Sequence, residues 1–233
     1  VNSTASGANS SAFGTEANAS AEDAIAFGFK AIANNLNALA VGTEAQATGV
    51  NSTAIGDEAK ASNGMTVAVG RQAQATGFDG TALGSVSKAT GFRATAIGTL
   101  SKASARNSTA IGASSNALGN YSGAFGTEAN ASGLASMAFG AGSIANATGA
   151  ITLGVNSIAS GANSSAFGTE ANASAQDAMA MGYLANASGI DSIAIGTSAL
   201  ANKANTTAIG TEAKATGENS TTYGDSSTAS GSN

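Results

Sequence analysis

The chain has 233 residues, with 14 acidic and 9 basic side chains for a net charge of -5, and it contains no histidine, cysteine or proline. That balance, with no basic run along the chain, argues against nucleic acid or direct membrane contact as its business, because both need dense Lys and Arg. Zero cysteine excludes a disulfide framework and thiolate metal sites, and permits passage through an oxidising compartment. Hydrophobic residues make up 42% of the chain, but most are alanine and only 5% of residues are aromatic, so large core side chains are scarce. No apolar run is long enough to span a bilayer, and no signal peptide opens the sequence.

A glycine stands at every multiple of fourteen from Gly14 to Gly224. Fixed-period self-similarity takes precedence over length in deciding architecture, since each repeat is one structural unit. The sequence therefore predicts a single β-solenoid over residues 1–233, built from about sixteen fourteen-residue coils. Just before the glycine each coil carries one large apolar side chain, starting with Phe13, Phe27, Val41 and Ile55 and ending with Ile195, Ile209 and Tyr223. One residue earlier stands alanine, as at Ala12, Ala54 and Ala110, with Thr152 and Thr222 as exceptions. Three residues after the glycine comes Ala or Ser, and five after it always Ala, from Ala19 through Ala103 to Ala229.

Taken in chain order, Ser52-Thr53-Ala54-Ile55 reads as a strand ahead of Gly56. After that glycine, Glu58 and Lys60 alternate with small residues in the period-2 pattern of a second strand with one buried face. Corners fall between strands at Ala47–Asn51, Ala75–Asp79 and Ala187–Asp191, where glycine is expected to supply φ > 0 and Asn or Asp the side-chain caps. Ser108-Thr109-Ala110-Ile111 repeats the first strand, and Glu212 with Lys214 repeats the second. Residues 2–28 recur as 156–182 with four differences, an offset of eleven whole coils. The absence of proline fits a backbone whose N–H groups all bond to the next coil.

The strand ahead of the glycine is water-averse on both faces, so it needs two partners. The sequence reading places the large residue inside the coil, against the Ala/Ser columns of the other strand, and covers the second face with another copy of the chain. Like charges share columns, Glu44 with Glu58 and Lys88 with Lys102, which is tolerable only in solvent.

Without His or Cys the usual nucleophile–base pairs are missing, and no catalytic, cofactor-binding or metal-binding residue is assigned. The acidic pairs Glu22-Asp23 and Asp57-Glu58 read as solvated turn residues, and the Asn-x-Ser/Thr triplets at Asn51, Asn107 and Asn219 as corners. A threonine column at Thr53, Thr81, Thr95 and Thr109 raises an ice-binding alternative, but Val67, Gly123, Met137 and Ile151 interrupt it.

The stretch Asn107-Ser108-Thr109-Ala110-Ile111-Gly112-Ala113-Ser114-Ser115, with residues 51–59 and 191–199, resembles the Ser-x-Ala-Ile-Gly-x-x-Ser/Ala repeat of YadA-like heads, which belong to the trimeric autotransporter adhesins of Gram-negative bacteria. The resemblance implies an all-β, left-handed parallel β-roll, homotrimeric with two identical chains. It also implies display at the bacterial cell surface above an outer-membrane anchor. Adhesion to host extracellular matrix or cell surfaces without catalysis is the implied function, and a passive spacer is the alternative. The given chain carries no heptads or barrel segment, which implies an isolated head. Ligand-binding residues are left unassigned, because the repeat residues are mainly those that build the coil.

Overall fold

The computed structural model describes residues 2–231. It is an all-β parallel β-solenoid of about sixteen turns, with no helix among the described residues. Two compact units are distinguished, Val1–Ala117 and Leu118–Asn233.

In the first unit each coil contributes a three-residue strand before its glycine, such as Thr53–Ile55 and Thr109–Ile111, and a two-residue strand after it, such as Lys60–Ala61 and Lys102–Ala103. The three-residue strands form a wide sheet and the two-residue strands a narrow one. Both pair in parallel with a shift of fourteen residues, as in Thr95↔Thr109, Ala96↔Ala110, Ile97↔Ile111 and Lys88↔Lys102, Ala89↔Ala103. The second unit follows the same rule, with Met179↔Ile193 and Met181↔Ile195 in its wide sheet and Asn172↔Asn186 in its narrow one.

Corners belong to the ladder as much as strands do. The Glu58 N–H donates to the Thr43 carbonyl at 2.8 Å and the Asn51 N–H to the Leu36 carbonyl at 2.9 Å, each one coil back. A backbone used this fully has no room for a residue lacking its N–H.

Four side chains per coil point inward, and all are small. In the coil that starts at Gly98 they are Ser101, Ala103, Ser108 and Ala110; in the second unit the coil at Gly182 contributes Ala185, Ala187, Ser192 and Ala194, and every one has 0% exposure. Buried hydroxyls are mostly satisfied locally: Ser101 Oγ donates to the Gly98 carbonyl at 2.8 Å and Ser108 Oγ to the Ala105 carbonyl at 2.7 Å, bracing the two corners from inside. The interior is thus a close approach of two sheets across methyl groups and hydroxyls.

This corrects the expected orientation of the wide strand. Its alanine faces inward, and the large residue faces out: Phe13 is 69% exposed, Phe27 51%, Leu153 56% and Tyr223 68%. The physical reason is space. Neither sheet offers a recess for an isoleucine or phenylalanine ring between alanine and serine columns, so the branched and aromatic residues are turned to the opposite face.

The corners also correct the expected division of labour between glycine and asparagine. Backbone φ is positive every seven residues, so each coil is two similar half-coils. At the second corner the positive φ sits on Asn51, Asp79 and Asp191 themselves, at 55°, 56° and 55°. Asn and Asp tolerate this left-handed region best among residues with a Cβ. The preceding Gly49 is instead needed for closeness, since a Cβ there would collide with the Asn63 carbonyl of the next coil. The glycine at multiples of fourteen meets both demands. Gly98 has φ of 126°, and a Cβ on it would lie 2.6 Å from the carbonyl oxygen of Gly112 stacked above.

Candidate functional surfaces

Among the described residues the interior is alanine and serine with a few threonines such as Thr66, Thr152 and Thr206, so side-chain chemistry varies mainly on the outer faces. The wide sheet presents two adjacent columns outward. One is the large residue before the glycine; the other, two residues earlier, contains Ile25, Leu39, Val67, Met137, Ile151 and Ile193 among threonines and serines. Phe13 and Phe27 stack with ring centroids 5.0 Å apart, and Phe125 and Phe139 at 4.7 Å. A contiguous apolar stripe repeated coil after coil is far from the scattered exposed apolar residues of an ordinary surface.

Thr53, Thr81, Thr95 and Thr109 fall in the second of these columns, in register with Val67. They are half-buried and flanked by the large apolar residues, so they form part of the apolar face and not a separate flat threonine array.

The narrow sheet presents one outward column, four residues after each glycine, of Asn, Gln, Lys and some Ile or Leu. The acidic pairs both lie at exposed corners: Asp57-Glu58 just after Gly56, and Glu22-Asp23 at the opposite corner. Glu58 accepts from Gln72 Nε2 at 3.1 Å and Asp23 from Asn9 Nδ2 at 3.2 Å, both one coil apart. Their partners are amides of neighbouring corners, and among the described residues no group of three or more His, Cys, Asp or Glu side chains is placed to hold a metal. The corner asparagines pair the same way, Asn37 Nδ2 donating to Asn51 Oδ1 at 2.9 Å and Asn205 to Asn219 at 3.1 Å.

Cations dispersed along the sequence are gathered by the coil. Lys60, Arg71, Lys88, Arg93, Lys102 and Arg106 are six of the nine basic residues, and Asp79 is the one acid within their span. In the linear sequence these residues are 4–17 positions apart and form no basic run; stacking at fourteen residues per turn brings them onto successive coils.

The repeat stretch Asn107–Ser115 is accounted for atom by atom. Asn107 holds the left-handed corner at φ 53°, Ser108 and Ser115 brace corners through carbonyls, Ala110 fills the interior and Gly112 makes the close stack. Of its strand residues Thr109 and Ile111 face outward, on the apolar side, while Ala113 is exposed at the corner after the glycine.

The YadA head domain repeat matches residues 5–31, 33–59, 61–87, 89–115, 103–129, 117–143, 131–151, 145–171, 173–199 and 201–221. The chain belongs to the YadA head family. A solved relative, described as the collagen-binding domain of Yersinia adhesin YadA, is 30% identical over 56% of this chain and 65% of its own, with a TM-score of 0.41. The YadA-like head described here thus spans just under two thirds of that domain. No curated protein matches the chain.

Proposed function

We propose that this chain is the adhesive head of a surface-displayed trimeric autotransporter. Three copies pack their wide sheets together, and the narrow sheets and corners are presented to host extracellular matrix or cell surfaces without catalysis. One observation carries the reading: in a lone chain the outward apolar column stands exposed or half-buried, from Phe13 to Tyr223, and never enters the interior of the coil. Burying such a stripe removes apolar surface from water at about 25 cal/mol per Å², and a sister copy is the partner that repeats with the same spacing. Membership in the YadA head family supports the same arrangement and the position outside an outer-membrane anchor.

The test is binding of the assembled chain to collagen, other matrix proteins and host cells. Saturable binding to at least one supports the adhesive role. Absence of binding across the whole panel reduces the head to a spacer that holds another domain away from the cell.

A further inference from the structure

We infer that the narrow-sheet face of the coils from Lys60 to Arg106 binds a linear sulfated polysaccharide. The inference rests on the reading above in one respect: sister copies cover the wide sheet and leave the narrow sheet outward.

The geometry begins with one column. Lys60, Gln74, Lys88 and Lys102 are direct neighbours in the parallel register of the narrow sheet. At ~4.8 Å per strand the column places three ammonium groups along ~14 Å. Lys60 and Lys102 are exposed and Lys88 half-buried. Among the described residues none of the three makes an ion pair. Like charges facing each other across adjacent strands are destabilising, and nothing in this face offsets them. A polyanion laid along the column would.

The corners on either side add to the field. Arg71 is exposed at the corner after Gly70; Arg93 and Arg106 are exposed at the opposite corner. Asp79, the one acid in this span, is engaged by Arg93 Nε at 3.4 Å. By contrast residues 1–58 carry six acids and one lysine, so the basic band has a definite edge at Glu58. Beside the lysine column, two residues further along each coil, stand Thr76, Thr90 and Ser104, hydroxyls suited to sugar hydroxyl groups, with the Gln74 amide in the column itself.

The same face is poorly made for nucleic acid. Single strands are held by stacking bases on free aromatic faces. Here Phe78 and Phe92 stack on each other at 5.8 Å, and Arg93 and Arg106 lie over the Phe92 ring at 5.1 and 5.5 Å. A duplex is read by an element that enters its groove, and a flat two-residue-wide sheet has none. Sulfate groups on a linear sugar chain need only a row of fixed cations with hydroxyl and amide donors between them.

Immobilised heparin tests this with the intact 233-residue chain at ~0.15 M salt. The wild type should be retained and elute with rising salt. The triple variant K60Q/K88Q/K102Q should bind at least about tenfold more weakly, since each lost cation removes one counterion-releasing contact. The variant K30Q/K203Q/K214Q, with the same change of net charge outside the band, should bind like wild type. Neither variant should melt below wild type, as all six lysines lie on the outer surface of the coil and the K60Q/K88Q/K102Q change removes like-charge neighbours. Free heparin should displace the bound chain, whereas unsulfated hyaluronan and duplex DNA should not. No retention, equal loss in the two triple variants, or equal competition by DNA or hyaluronan each overturns the inference. Matrix or cell binding that persists without heparin binding sinks this inference alone; loss of both sinks the adhesive reading as well.

Discussion

Replacing Ala103 with leucine probes the thin interior directly. Ala103 is fully buried between Ala89 and Ala117 columns on its own sheet and the small residues of the wide sheet across the coil. Leucine adds three carbon atoms where every neighbour is a backbone group, a methyl or a serine hydroxyl, so no long side chain can swing aside. Overpacking a tight core costs about 1–3 kcal/mol, and the upper end applies here. For a chain of this size about 3 kcal/mol lowers the Tm by roughly 6–12 °C. The adjacent Lys102 points outward, so Lys102→Leu is expected to change stability by less than about 0.5 kcal/mol. Thermal melts followed by circular dichroism compare the two. Equal melting of Ala103→Leu and wild type, or an equal loss in Lys102→Leu, would refute the assignment of faces.

The remaining predictions concern backbone and register. Val86 holds a left-handed corner at φ 59°, a conformation costly for a β-branched residue; Val86→Asn should stabilise by about 1 kcal/mol, and an unchanged or lowered denaturation midpoint would count against that corner. Gly98→Ala should cost at least about 3 kcal/mol through strain and overpacking together, whereas Gly224→Ala, where nothing lies within 4 Å of the added Cβ, should cost about 1 kcal/mol; similar melts for both would contradict the stacking account. Insertion of one fourteen-residue coil should preserve melting and assembly. A seven-residue insertion keeps the small inward residues in phase but moves the large column to the opposite sheet, so it should abolish assembly, and indifference to insert length would contradict the two-faced coil.

The coil length, the two strands and the small-residue columns were legible in the sequence because each is a constraint repeated in every turn. Which way Ile111 and Ala110 point was not, because alternation separates two faces without saying which is inside, and hydrophobicity alone favours burying isoleucine. The signal lay in the half-coil: Ala110 stands seven residues after Ala103, and both occupy the same inward position of successive half-coils. The corners misled for a related reason. Asn51 and Gly49 both suit turns, and only the proximity of the next coil decides that glycine is needed for closeness while asparagine takes the left-handed φ. The basic band was hidden by linear distance, although Lys60, Lys88 and Lys102 are separated by multiples of fourteen.

The central claim is that the outward apolar column is an assembly surface shared by three identical chains. Sedimentation equilibrium of the 22.0 kDa chain at micromolar concentration addresses it most directly. The account predicts a single species of three times the chain mass that becomes lighter when Ile97, Ile111 and Ile55 are replaced together by Lys. A stable monomer with its apolar face left in water would contradict it.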